Sequence, residues 1–288
     1  MTAQAGQLLL AGADRRRLTA VWLLGALLCA GCGSPTAPSP RLSTPTFVIN
    51  AEPGVPQFDV DVVDELVSDV VLPYLASTFG WHPAQQIVIT LQLRATASAA
   101  GSAEGVAHPN SITVDVGSIG WCCSAHNDAY RRKTIAHELF HVVQYSWGWL
   151  PLHARAAWLV EGTAEYVAYR AAVIDRGDSS ADDVRACKQR GVLVSQPPIP
   201  TLANLDEPQQ TYGLIARTSF VYADAYLAVE RAVSRAGITS LMTFGQMSSP
   251  LADSFQAAFG QALADFYAEF ERYRAGWQLA PIPPEGCY

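Results

Sequence analysis

The sequence predicts an α+β fold in which a small N-terminal α/β lobe with a mixed sheet is followed by a mainly helical C-terminal lobe. Two patterns predict it. Stretches rich in β-branched residues surround one helical pattern within residues 47–126, and from about Asp128 onward the apolar residues recur almost wholly at helical spacing. Of the 288 residues, 50% are hydrophobic and 16% are charged, which is typical of a chain that folds around a sizeable core.

Residues 1–31 are predicted to be a signal peptide. Three arginines at residues 15–17 precede a short apolar run that ends in small residues, which is typical of an export signal and too short for a transmembrane helix. Ala30-Gly31-Cys32 resembles the lipobox of bacterial lipoproteins, although Cys29 stands where leucine is usual. We therefore expect a cell-envelope protein that is lipid-anchored to the membrane at Cys32, with plain secretion as the alternative.

Charge and cysteine content indicate which binding partners and which disulfides to expect. The formal net charge is −7 and no basic patch is found, so no nucleic-acid partner is expected. Export favours disulfides between the remaining thiols, Cys122, Cys123, Cys187 and Cys287. Four thiols allow three pairings, and the sequence does not select one. A cysteine-rich second metal site with His126 is an alternative that no CxxC spacing supports.

The N-terminal lobe follows a Pro- and Ser-rich tether at residues 32–46. Strands are predicted where β-branched residues are bounded by turn-formers: TFVI (46–49), QIVITLQL (86–93) and SITVDV (111–116). Residues 59–79 carry apolar side chains at helical spacing and predict a helix that Pro73 bends. The small residues at 95–105 predict a flexible loop.

The helical lobe is predicted to span residues 127–280, before a tail at residues 281–288. One helix carries HELFH and the next, at residues 156–172, carries WLVEGTAEYVAY. A loop rich in proline separates these from later helices. Those helices are predicted over residues 218–236, closed by Gly237, and over residues 249–259 and 263–277.

The segment IAHELFHVVQ, residues 135–144, has the features of a metal site. Residues i and i+4 of a helix point almost the same way, so His137 and His141 present two imidazoles on one face. Neutral imidazole is a good zinc ligand. Glu138 is turned by about 100° from His137, which puts it beside the metal, where it can take a proton from a water. The alternative, a solvated helix face, fits poorly because the flanking residues are apolar.

A catalytic zinc needs three protein ligands and one open position, and Glu161 can supply the third. It follows His141 with 19 residues between them, and a glycine and a proline among these let the chain return a second helix against the first. Glu165 lies one turn beyond Glu161 on the same face. It can accept a hydrogen bond from the far nitrogen of His137 and fix its tautomer. An ordinary exposed glutamate is the alternative.

HExxH followed by W-L-x-E-G-x-A-E-Y resembles the gluzincin branch of the zinc metallopeptidases, above all the bacterial peptidase-MA-like domain. The resemblance is strong over residues 130–170 and moderate to about residue 275. It implies a zincin-like fold with a zinc cleft between the two lobes. It also implies one Zn²⁺ on His137, His141 and Glu161, with Glu138 as general base and Glu165 behind a histidine ligand.

The family also implies an electrophile for the oxyanion, commonly a tyrosine or histidine from the C-terminal helices. Tyr212 and Tyr222 are the candidates, with Arg217 and His153 as alternatives, and packing is the ordinary role of such tyrosines. A substrate is expected to pair with an edge strand over the metal, and SITVDV is the candidate strand. GSAEG at residues 101–105 resembles the GxMEN motif of M1 aminopeptidases only faintly, because Met and Asn are missing.

The sequence therefore predicts an exported zinc metallopeptidase, a hydrolase that cuts peptide or protein substrates as an endopeptidase or with a cleavage mode that the sequence does not reveal. One alternative is a surface binding protein that keeps the fold and the metal without turnover, and another is M1-like aminopeptidase activity. A third is that HELFH is fortuitous and holds no metal. The intact HExxH argues against the first, and Glu161 at a workable distance argues against the third.

Overall fold

The computed structural model describes residues 46–93, 105–118, 121, 127–152 and 156–279, and all of these belong to one compact unit. The predicted signal peptide, the anchor at Cys32 and the tail lie outside the described residues, as do three of the predicted disulfide cysteines, Cys122, Cys123 and Cys287. Within the described ranges, no helix combines the length and the apolar character that crossing a membrane requires.

Among the described residues, four strands form one mixed sheet with the order β1-β2-β4-β3. These are β1 (Phe47–Ala51), β2 (Ile87–Gln92), β3 (Gly105–His108) and β4 (Ser111–Asp115). The strands β1, β2 and β4 are parallel, and β3 is antiparallel to β4. Alternate residues of β2 are buried, as its β-branched pattern leads one to expect. The fold is thus mixed α/β, with three strands where the sequence predicts them.

The prediction that SITVDV forms the sheet edge is wrong. The strand β4 lies between β2 and β3 and is hydrogen-bonded to both. Its neighbour β3, which the sequence prediction placed in a loop and its flank, occupies the edge instead. The four residues GVAH are too few to show a clear alternation, and they follow a stretch of small residues.

The helix predicted over residues 59–79 is present in three parts. These are α1 (Gln57–Glu65), a π-helical segment (Leu66–Val71) and α2 (Leu72–Phe79). Pro73 lies in the first turn of α2, directly after the π-helical segment. The buried side chains of all three parts, which include Val63, Val67 and Leu75, join the core.

The rest of the described chain is helical. Its helices are α3 (Asn127–Ser146), α4 (Ala157–Tyr169), α5 (Ala181–Val194), α6 (Pro208–Ile215), α7 (Phe220–Ala236), α8 (Ser240–Gly245), α9 (Leu251–Phe259) and α10 (Leu263–Ala275). Shorter segments are a helical turn at Trp149–Leu152, a π-helical segment at Arg170–Ile174 and a 3₁₀ turn at Leu202–Leu205. The sequence prediction lacked α5, α6 and α8, and it placed α6 at the end of a proline-rich loop.

The helix α4 is the centre of the helical part, because every residue from Ala157 to Tyr169 is buried. It packs against α3 on one side and against α7 on another. Gly162 permits the second contact, since a Cβ atom there would lie 2.5 Å from the carbonyl oxygen of Ala225. A helix with neighbours all round has its side chains held in place. Glu161, next to Gly162, is therefore fixed against α3.

Candidate metal centre

Helices α3 and α4 bring three buried side chains to one point: His137, His141 and Glu161. The Nε2 atoms of the two histidines are 3.1 Å apart. Glu161 Oε2 lies 3.3 Å from Nε2 of His137 and 3.5 Å from Nε2 of His141. The three atoms, which we call the acceptor triangle, could together hold a metal ion.

Glu165 fixes the tautomer of His137. Its Oε2 atom lies 3.2 Å from Nδ1 of the histidine. Burial would raise the pKa of Glu165, but the neighbouring Lys133 and Lys188 outweigh it and hold that pKa well below its usual range. An ionised carboxylate only accepts hydrogen bonds, so Nδ1 of His137 is the protonated nitrogen. The Nε2 atom of neutral His137 therefore carries a lone pair that points into the triangle.

Gln144 fixes the tautomer of His141, a role that the sequence analysis does not predict. The Gln144 side-chain nitrogen donates to the carbonyl oxygen of Val160 at 2.9 Å and to Oγ1 of Thr163 at 2.7 Å. These contacts orient the amide so that its Oε1 atom faces Nδ1 of His141, 2.7 Å away. An amide oxygen only accepts, so Nδ1 of His141 carries the proton. Its Nε2 atom also presents a lone pair to the triangle.

Three acceptor atoms thus face one another within 3.5 Å, and buried acceptors in this arrangement need a cation between them. Without a metal, protons must lie between these acceptor atoms. Burial lowers the pKa of His137, but hydrogen bonds to Glu161 and Glu165 outweigh it and raise that pKa to about 9. Burial raises the pKa of Glu161, yet the charge of His141 and the hydrogen bond to His137 lower it further than burial raises it.

Glu138 lies beside the triangle and lines the same cavity. The edge strand passes directly over it, since a Cβ atom on Gly105 would lie 2.4 Å from Glu138 Cγ and 2.5 Å from Glu138 Oε1. Only a residue without a side chain fits there while Glu138 keeps its position. Burial raises the pKa of Glu138 above its ordinary value.

The cavity has a volume of about 830 Å³, and both candidate tyrosines line it. The hydroxyl of Tyr212, on α6, donates to Glu161 Oε1 at 2.9 Å, although 46% of the residue is exposed. The ring of Tyr222, on α7, meets the ring of His137 edge-on with 5.7 Å between centroids. Burial raises the pKa of both phenols, so each keeps its proton at neutral pH.

The outcomes differ for the remaining candidates. Arg217 is exposed and does not line the cavity, and its Nε donates to the carbonyl oxygen of Gly213. His153, His126 and the first four residues of GSAEG lie outside the described residues. Cys187 is disulfide-bonded, and it lines the cavity beside Lys188.

The three ligand candidates come from two helices that the sequence predicts, while Gly105 and Tyr212 come from elements that it does not. Gln144 stands three residues after His141 on the same helix, and this spacing is the signal that could have found it.

Comparisons of the chain with models of known protein families, with curated proteins and with solved structures found no match. The site is therefore interpreted from its own geometry.

Proposed function

We propose that the chain is a zinc-dependent metallopeptidase with a zincin-like cleft, as the gluzincin-like motif implies. The acceptor triangle carries this proposal. In a tetrahedral site with zinc–ligand bonds of about 2.0–2.2 Å, neighbouring ligand atoms lie roughly 3.3–3.6 Å apart. The edges of the triangle measure 3.1, 3.3 and 3.5 Å. Two imidazoles and one carboxylate with an open fourth position are also a donor set typical of catalytic zinc.

Zinc held by His137, His141 and Glu161 would supply a Lewis acid that polarises a peptide carbonyl and lowers the pKa of a bound water. The chain supplies the proton transfers. Glu138 takes the proton of the attacking water and passes it to the leaving amine. Its raised pKa in the buried cavity supports this role, because a carboxylate that takes up a proton readily is the better base for this step.

A protonated phenol would stabilise the oxyanion. Tyr222 is the better placed of the two tyrosines, because Tyr212 donates its hydrogen bond to the ligand Glu161. Tyr212 then acts by holding Glu161 in position. The substrate backbone would pair with β3, which has a strand partner on one side only within the described sheet and which passes directly over Glu138.

Export to the cell envelope is part of the same proposal. The disulfide at Cys187 supports it, because disulfides form and persist in oxidising compartments. Anchoring at Cys32 rests on the lipobox-like pattern of the sequence.

The test compares wild type with Glu138→Gln on an unbiased peptide library, each with its zinc content measured. The amide keeps the size of the side chain and removes its basicity, so we expect zinc content to be unchanged and cleavage to fall by roughly 10²- to 10⁴-fold. Glu52→Gln, at an exposed position outside the cavity, is the matched control. Equal cleavage by both proteins, or none by zinc-loaded wild type, contradicts the proposal. The second outcome favours the binding-protein alternative.

A further inference from the structure

The chain contains only two lysines, Lys133 and Lys188, against 17 arginines. Both contact Glu165 at the wall of the cavity. They come from different helices, α3 and α5, and are 55 residues apart in the sequence. Surface charge does not account for them, because the side chain of Lys133 is 18% exposed and that of Lys188 is 11% exposed.

The two lysines are held differently. Lys188 Nζ donates to Glu165 Oε1 at 2.9 Å and lies 3.9 Å from the centre of the Tyr169 ring, so its position is fixed. Lys133 Nζ lies 3.6 Å from Glu165 Oε2 and 4.8 Å from the centre of the Tyr130 ring. The first of these distances exceeds that of a hydrogen bond. Lys133 is therefore the ammonium group that can donate to a ligand.

Charge balance points the same way. With a divalent ion on the acceptor triangle and both histidines neutral, the charges that line the cavity are those of three carboxylates, Glu138, Glu161 and Glu165, of the two ammonium groups and of the ion. Their sum is one net positive charge. Lys188 already forms the closer ion pair with Glu165, so the charge of Lys133, 3.6 Å from the same carboxylate, is only partly compensated in this wall.

We propose that Lys133 binds a carboxylate of the peptide substrate, either its free C-terminus or an Asp or Glu side chain, while Lys188 compensates Glu165. The proposal rests on the peptidase function and adds the substrate class. With a metal–nitrogen bond of roughly 2.1 Å, the path from the metal through His137 and Glu165 to Lys133 Nζ is at most about 11 Å. The bound carboxylate, about 2.8 Å beyond Nζ, would then lie within about four extended residues of the scissile bond.

The test measures binding to the zinc-loaded Glu138→Gln protein, so that no turnover interferes. The probe is an N-acetylated, alanine-rich hexapeptide in three kinds of form. The neutral form has a C-terminal amide, and a second form has a free C-terminal carboxylate as its only charge. The remaining forms have a C-terminal amide and one Glu, which is placed at each position in turn. Calorimetry gives each affinity. We expect at least one acidic form to bind about tenfold tighter than the neutral form, as a charged hydrogen bond implies, and its identity distinguishes terminal from side-chain recognition.

Lys133→Met in the same background should bring the affinity ratio close to one while the zinc content is unchanged. Arg217→Gln, which removes an exposed cation outside the cavity, should leave the ratio unchanged. If the affinity ratio of acidic to neutral peptide is unchanged in Lys133→Met, the peptide carboxylate binds the metal instead of Lys133, and the proposal is overturned. Equal binding of all forms, or no measurable binding of any acidic form, also overturns it.

Amine acylation of the zinc-loaded Glu138→Gln protein gives a second readout that needs no further variant. With only two lysines in the chain, mass spectrometry can follow Lys133 directly. The acidic peptide that binds best should slow acylation of Lys133, and the neutral peptide should not; equal rates overturn the proposal. Wild type that cleaves the neutral hexapeptide as fast as the acidic forms keeps its peptidase function and loses this subsite. A protein that binds the acidic forms preferentially but cleaves no peptide keeps the subsite and loses the proposed peptidase function.

Discussion

Gly105 and Glu138 are in direct contact, with room for Glu138 only because residue 105 has no side chain. A Cβ atom at residue 105 would lie 2.4–2.5 Å from the Cγ, Cδ and Oε1 atoms of Glu138, which are the outer atoms of a flexible side chain. Glu138 can move away at little cost to the fold. The edge strand thus sets the position of the proposed base.

We expect Gly105→Ala to keep the metal and lose activity. A displacement of the base by about 1 Å can reduce the rate by roughly 100-fold, and the ligands are on other side chains. Zinc content and kcat on one cleaved peptide measure the two effects. Gly213→Ala is the matched control, because a Cβ there meets nothing within 4 Å. Activity of Gly105→Ala equal to that of the control would show that residue 105 does not set the position of Glu138.

Gln144→Leu should weaken metal binding without unfolding the chain. It removes the acceptor that holds Nδ1 of His141 and leaves the size of the side chain nearly unchanged. Loss of such a partner typically lowers metal affinity by about 10- to 100-fold. A competition titration with a zinc chelator measures it. Gln256→Leu, at an exposed position on α9, should bind zinc like wild type, and an unchanged affinity in Gln144→Leu would show that His141 needs no such support.

Metal uptake should depend strongly on pH. A metal binds neutral imidazole, but in the metal-free protein the pKa of His137 is raised from 6.5 to about 9. Zinc affinity should therefore rise with pH across that window, with proton release that calorimetry in buffers of different ionisation enthalpy detects. Affinity that is flat between pH 6.5 and 9 would mean that His137 is not protonated in the metal-free protein.

The stability of the metal-free protein should change in the opposite sense. A pKa raised on folding adds stability that is fully present below pH 6.5 and is lost as pH rises toward about 9. Urea unfolding of the chelator-treated protein should therefore show a falling free energy of unfolding across this range. Zinc-loaded protein should lack this loss, because its histidines are neutral throughout.

The parts of the site that could be predicted are those fixed by local helix geometry. His137, Glu138 and His141 lie on one helix, where spacing alone sets direction. Glu161 and Glu165 required only that the next predicted helix return against the first. Gly148 and Pro151 lie between the two helices and permit that return.

The parts that could not be predicted depend on contacts between segments far apart in sequence. Gly105 belongs to a strand of four residues, too short to show a period, that β4 holds in place. Lys188 and Tyr212 lie on α5 and α6, in the stretch between residues 172 and 218 where the prolines indicated a loop. Sequence spacing does not show which distant segments come into contact. The residues that form the wall of the cavity could therefore be identified only in the structure.

The metal content of the purified protein decides whether the acceptor triangle is a zinc site. Elemental analysis by mass spectrometry, before and after dialysis against a chelator and reloading, should give one zinc per chain for wild type. Glu161→Ala, which removes one corner of the acceptor triangle, should lose most of it, and the exposed Glu52→Ala should not. Wild type without stoichiometric zinc after reloading, or Glu161→Ala that binds zinc like wild type, would contradict the proposed metal centre.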